Sequence, residues 1–169
     1  MYTQMFGQMK KHLAQMSTWL TAADAHARAI GSDSAQTLEL RLAPDQFPLA
    51  RQVQIACDTA KLAACRLTGR EAPVTEDNEK SLADLQARIA WTVGFLDTFT
   101  AEDWSGADER RVGQPRWEGK TMSGADYFVE HAVPNFFFHA CHVYAILRHA
   151  GVALGKKDYL GPLSLVTPV

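Results

Sequence analysis

The chain has 169 residues, 47% of them hydrophobic and 21% charged, with a formal net charge of −2 at pH 7. That length suits one domain, residues 1–169, with a sizeable core. The charges are interspersed, which excludes a basic stripe for nucleic acid and a polybasic segment for an anionic membrane; neither is expected as a partner.

The first predicted helix covers about residues 2–30. Phe6, Met9, Leu13, Met16, Leu20, Ala23, Ala27 and Ile30 step by three and four, the pattern of a bundle seam, and Gly31 ends it. His12, Trp19 and His26 recur every seven residues beside that seam, where the two histidines read as surface or boundary groups. A loop with Pro44 follows. Asp45 is the expected cap of a second helix over about 46–68, which Gly69 stops. This helix is rich in small residues (Ala56, Ala60, Ala63, Ala64) that permit close backbone approach. Its apolar face centres on Val53, Cys57, Ala60, Ala64 and Leu67. Asp58 falls nearly opposite, in a hydrophilic stripe with Arg51, Gln54 and Lys61, the pattern of a solvated or ion-paired face.

A third helix is expected over about 77–99, opened by Thr75–Asn78, with Leu82, Leu85, Ile89, Val93, Leu96 and Phe99 repeating the seam. Between about 100 and 122 the helical period disappears. Arg110-Arg111-Val112 and Lys120-Thr121-Met122 read as two short extended segments around a turn containing Gly113, Pro115 and Trp117. Ser123 with Asp126 caps a fourth helix over about 123–150. Pro134 should kink it near Glu130, because proline lacks an N–H and crowds the carbonyl four residues back. Gly151 stops it. The tail 151–169, with Gly155, Gly161, Pro162 and Pro168, is expected to be extended, and Tyr159, Leu160, Leu163, Leu165 and Val166 are apolar enough to pack. Four long amphipathic helices with a partly extended connection before the last make an all-α four-helix bundle with a small β-hairpin-like segment.

The three cysteines, Cys57, Cys65 and Cys141, are odd in number and lie in helical stretches; they read as small buried hydrophobes and form no disulfide framework. No apolar stretch follows Lys10 and Lys11, and the longest uncharged run, 132–147, is too short to span a bilayer. A cytoplasmic location is expected.

Potential chemistry gathers on the fourth helix. At about 100° per residue, His131, Asn135, His139, His142 and His149 fall within a stripe roughly 80° wide. On an apolar helix such groups need partners, as metal ligands, hydrogen-bonded core groups or the lining of a pocket. Asn135 and His139, one turn apart beside the proline kink, should face inward and mark the site, with His131 and His142 lining the same pocket. Phe136, Phe137 and Phe138 read as core plus contact surface. No Ser-His-Asp set, phosphate loop or Cys-x-x-Cys is present.

The run from Asn135 to Gly151, NFFFHACHVYAILRHAG, resembles the fourth helix of the DinB/YfiT-like superfamily. Those bundles include metal-dependent thiol transferases, and this helix there carries His-x-x-x-His followed by Gln three residues on. Asn135 stands at the first histidine position, His139 at the second and His142 at the glutamine. Pro134-Asn135-Phe136, Ala145–His149 and Leu154–Gly161 resemble one branch of unknown function. The superfamily's third ligand is a histidine on the second helix, and residues 46–68 contain none.

Carboxamide is a poor ligand for zinc or nickel. The resemblance therefore implies a degenerate metal site turned into a polar pocket, with a small-molecule or structural role and no cofactor. The alternative it implies is a thiol S-transferase holding Zn or Ni through His139, His142 and a third group, Asp58 or else His131, His12 or His26. Bundles of this superfamily often pair, and with the apolar surface of the first helix and the phenylalanines this implies a homodimer.

Overall fold

The structure, a computed structural model, describes residues 1–167. It is an all-α bundle of four long helices with a two-stranded antiparallel hairpin. Helix α1 spans Tyr2–Ala29, α2 Leu49–Thr68 and α3 Leu82–Leu96. Strands β1, Arg111–Gly113, and β2, Thr121–Ser123, pair with Val112 opposite Met122. The fourth long helix, α4, covers 124–149 in three parts: an α-turn Gly124–Asp126, a π-helical stretch Tyr127–Ala132, and α-helix Val133–His149. Around the bundle the order is α1, α3, α2, α4, so α1 and α2, neighbours in sequence, lie diagonally.

The seam residues of α1 from Phe6 to Leu20 are buried, as are Leu85 and Ile89 of α3 and Phe136, Val143 and Leu147 of α4. Ala56, Ala60, Ala63 and Ala64 are fully buried on α2, where their small side chains let α2 approach its neighbours. No helix among the described residues is long and apolar enough to cross a membrane.

Several expected boundaries move, each for a local reason. Helix α2 starts at Leu49, three residues late, and Asp45 does not cap it. Gln46 N–H instead closes a turn onto Ala43 O, and Pro48, fixed in φ and extended in ψ, takes the N-cap position. A short 3-10 helix, Ser34–Glu39, occupies the connection read as plain loop. Helix α3 is shorter than expected, because Thr75–Asn78 is not helical and turns its polar groups onto Arg88. Ser81 opens the helix, its Oγ accepting from Asp84 N–H at 3.1 Å. The tail contains a short helix, α5, Lys156–Leu160, where extended chain was expected; the Asp158 carboxylate accepts from Gly155 N–H at 2.6 Å. Tyr159 does pack, stacked on Trp19 at 5.7 Å, whereas Leu163, Leu165 and Val166 are exposed. Pro168 and Val169 lie outside the described residues.

His12 is buried rather than at the surface: its Nδ1–H donates to Gln8 O at 2.9 Å, and its ring meets the edges of Phe137 and Tyr159. Cys57 and Cys65 are buried, but Cys141 is exposed, with its Sγ 3.1 Å from Tyr159 Oη.

The disturbance expected near Glu130 takes the form of the π-helical stretch. Pro134 donates no N–H, and a normal α-turn would press its ring on the Glu130 carbonyl. Widening the preceding turn, with Val133 N–H reaching Phe128 O, relieves that crowding. Entry to α4 follows the sequence signal. Ser123 Oγ accepts from Asp126 N–H at 3.0 Å and donates to its carboxylate at 2.6 Å. Gly124, next in the chain, lies so close to the Ala107 carbonyl that a Cβ would come within 1.8 Å of it. Backbone contact there fixes where the hairpin sits relative to α4. Ser123→Ala is expected to cost about 1 kcal/mol, the usual value of an N-cap. A urea midpoint shifted accordingly at unchanged slope would show it; an unshifted midpoint would mean that the cap is not formed.

Candidate functional site

A cavity of about 290 Å³ lies where α2, the first half of α4 and the hairpin meet. Helix α4 contributes Tyr127, His131, Asn135 and His139; α2 contributes Arg51, Asp58, Thr59 and Arg66; the hairpin turn adds Gln114 and Arg116. Of the residues expected to form a site, His131, Asn135, His139 and Asp58 thus share one wall.

The inner pair is tied to α2. Asn135 Nδ2 donates to Thr59 Oγ1 at 2.7 Å, and His139 Nδ1 lies 2.7 Å from Gln52 Oε1. An amide oxygen only accepts, so Nδ1 of His139 carries the proton and Nε2 presents a lone pair. Among the described residues Nε2 has no partner, and it is not one of the enclosed unpartnered atoms, so it opens to the cavity. Burial, then the neighbouring His142 and the Arg51 charge, push the His139 pKa down to about 4. The ring is neutral at physiological pH. The pairings also give the helix directions: a later residue on α4 meets an earlier one on α2, so the two run antiparallel.

At the hairpin end, Arg116 Nη2 donates to His131 Nε2 at 2.6 Å, with Gln114 Nε2 at 3.3 Å. Two donors on Nε2 place the His131 proton on Nδ1, which is enclosed and has no partner among the described residues. The imidazole stacks on Tyr127, 5.6 Å between ring centres. Burial and then the Arg116 and Arg66 charges lower its pKa. Arg66 Nη1 donates to Tyr127 Oη at 3.1 Å, while burial raises the Tyr127 pKa and keeps the phenol neutral.

Asp58 is ion-paired rather than solvated. Its carboxylate meets Lys61 at 2.9 Å and Arg88 at 3.0 Å, both buried, and accepts from Thr75 Oγ1 at 3.1 Å. His142 is not part of the cavity lining. Its Nδ1–H donates back to Phe138 O at 2.7 Å and its ring lies 4.1 Å from that of Phe138. A helical-wheel angle ignores height, and His142 stands about 4.5 Å further along the axis than His139. His149 is exposed at the helix end. His12 and His26 on α1 do not reach the cavity either.

The metal set His139, His142 and Asp58 is therefore not assembled. Among the described residues no three His, Cys, Asp or Glu side chains are grouped to hold an ion. Asn135 directs its amide nitrogen at Thr59, Asp58 is held by two cations, and three guanidinium groups line the same space. That donor set does not fit the zinc or nickel ion that the resemblance implies.

Gln52, Thr59, Arg51, Arg66, Arg116 and Tyr127 were not anticipated as site residues. One signal pointed to the first two: Gln52 and Thr59 are polar groups seven apart on a helix of small residues, and polar groups at seam spacing need partners on a facing helix.

The comparisons agree with this architecture. A crystal structure of a DinB family member protein from Shewanella denitrificans superposes with a TM-score of 0.93 at 44% sequence identity, covering 96% of this chain and 93% of that one. No curated protein matches the chain significantly. The family model described as domain of unknown function (DUF1993) matches residues 1–160. With that match across nearly its whole length, and with so similar a DinB bundle, the chain belongs to the DinB-like DUF1993 family.

Proposed function

We propose that the cavity between α2 and α4 is a binding pocket for a small molecule, at the positions where the superfamily resemblance implies a metal. The observation that carries this reading is His139: Gln52 fixes its tautomer, leaving an unpaired Nε2 acceptor in the wall of a polar cavity. A buried acceptor left free at the wall of a cavity needs a donor from whatever fills that cavity. The second reading, a metal-dependent thiol transferase, draws on the same feature, since an imidazole oriented by an amide oxygen is also how metal ligands are held. Lack of a second and third ligand beside it ranks that reading lower.

The test follows the His139 imidazole carbon signals by NMR while fragment-sized acids, amides and amines are added. A saturable shift with at least one class is expected. No shift with any class at millimolar concentration would sink the pocket reading. Stoichiometric zinc or nickel in tag-free protein, lost in His139→Ala, would replace it with the metal reading. Asn135→His supplies an independent prediction. It places two imidazoles one turn apart and should raise zinc affinity over the parent in calorimetric titration. No gain would mean that α2 offers no third ligand or that positions 135 and 139 do not project into a common space.

A further inference from the structure

We propose that the hairpin end of this cavity is an oxyanion subsite, in which Arg66 and Arg116 receive the carboxylate or phosphate of a small ligand. The proposal rests on the pocket reading above and adds the chemical class of what the pocket holds.

Charge accounting within the cavity comes first. Of its three guanidinium groups, Arg51 is paired with Asp77. The single carboxylate of the lining, Asp58, is engaged by Lys61 and Arg88. Arg66 and Arg116 have no carboxylate partner among the described residues; every ion pair found there lies elsewhere. Each spends one donor on a neutral acceptor, Tyr127 Oη for Arg66 and His131 Nε2 for Arg116. A guanidinium has five N–H donors, so most of each fork is unspent. Both charges act on Tyr127 and on His131, so an anion between them would relieve their mutual repulsion.

The second observation is geometric. Tyr127 and His131, the acceptors of the two arginines, stack 5.6 Å apart at the hairpin end of the cavity, so Arg66 and Arg116 are both held there and an anion in that space can meet both. Bidentate capture of carboxylate or phosphate is what arginine forks do best. Away from this end the lining includes Ile55 and Leu62, which suit a short apolar body, and about 290 Å³ accommodates a fragment-sized ligand such as benzoate.

The test is calorimetric titration with benzoate, inorganic phosphate and the neutral benzamide, on the full chain and on Arg116→Gln and Arg66→Gln. At least one anion should bind at least tenfold more tightly than benzamide. Each substitution should weaken that anion at least tenfold and leave benzamide unchanged, and the His131 imidazole signals, which report the Arg116 bond to Nε2, should shift on saturation. Benzoate ahead of phosphate identifies a carboxylate with an apolar body; the reverse order identifies a phosphoryl group. Equal binding of benzamide and benzoate, unaltered in the variants, would overturn the subsite while leaving the pocket intact. Binding of neither anion would also overturn it, and the fragment titration on His139 then decides the pocket separately. Arg116 is exposed on the hairpin turn, so its variant should fold and is decisive even if Arg66→Gln does not.

Discussion

Arg88→Met is expected to lower the unfolding free energy by about 3–5 kcal/mol, the usual cost of removing one partner from a buried charge network. The Arg88 side chain is only 5% exposed and is spent almost completely. It meets Glu79 at 2.8 Å, Asp58 and Asp77 at 3.0 Å each, and the Glu76 carbonyl at 3.1 Å. Methionine matches its stem but leaves Glu79, itself 7% exposed, with Gln54 alone, and Asp58 with Lys61 and Thr75. Arg88→Lys should lose less, since it keeps the charge but not the fork that reaches three carboxylates.

The pH dependence has a definite sign. Burial pushes the Glu79 carboxyl up, but the bonds from Arg88 and Gln54 outweigh it and hold its pKa below the ordinary 4.5. The stability this provides is present above pH 4.5 and is lost as pH falls through the lowered value. In Arg88→Met burial is left unopposed by the guanidinium, so acid sensitivity should begin at higher pH. Urea titrations of both proteins at pH 7 and pH 5 measure both effects. A loss under 1 kcal/mol at pH 7 would mean that the network is solvated. The consequence reaches the cavity, because Arg88 anchors the segment around Thr75–Glu79 whose Asp77 pairs with Arg51 and whose Thr75 bonds Asp58.

Arg88 also shows why part of the fold was legible in the sequence and part was not. The α1 seam, the Ser123 cap and the two short strands are written in residues a few positions apart, so local periodicity and capping chemistry find them. Thr75–Asn78 carries good helix-opening residues, yet it is drawn away by an arginine ten or more residues later. Nothing local reports that competition. Pro134 marked the place of the irregularity on α4, but whether the helix would bend or widen depends on what packs around it.

The site divides in the same way. Polar groups on an apolar helix identified His131, Asn135 and His139, because their need for partners is a property of the helix itself. Thr59, Gln52 and the arginines depend on α2 lying beside α4 and on where the hairpin folds, which are long-range facts. His142 fits the stripe by angle and misses the cavity by height.

His139 yields the second large effect. Its native pKa of about 4 against an ordinary 6.5 means that, between those values, the unfolded chain binds a proton at this residue and the native protein does not. Stability from this residue is therefore complete above pH 6.5, falls as pH drops below it, and stops falling near pH 4, where the native ring also protonates. The full interval corresponds to about 3 kcal/mol. Nε2 opens to the cavity and relieves part of the burial, so the expected loss is about 2 kcal/mol. His131 and His12 are displaced in the same direction by burial, so the whole protein should be steeper still. His139→Gln removes this contribution and should flatten the dependence between pH 6.5 and 4.5 without abolishing it. Urea midpoints across that range compare the two proteins, and the His139 imidazole carbon signal gives its pKa directly. A midpoint of titration near 6.5 would show the ring to be solvated and would remove the neutral acceptor on which the binding pocket depends. Titration only below pH 5 would leave Nε2 as a lone pair throughout the physiological range, able to accept a hydrogen bond from the ligand at one end of a cavity whose other end carries the unpaired arginines.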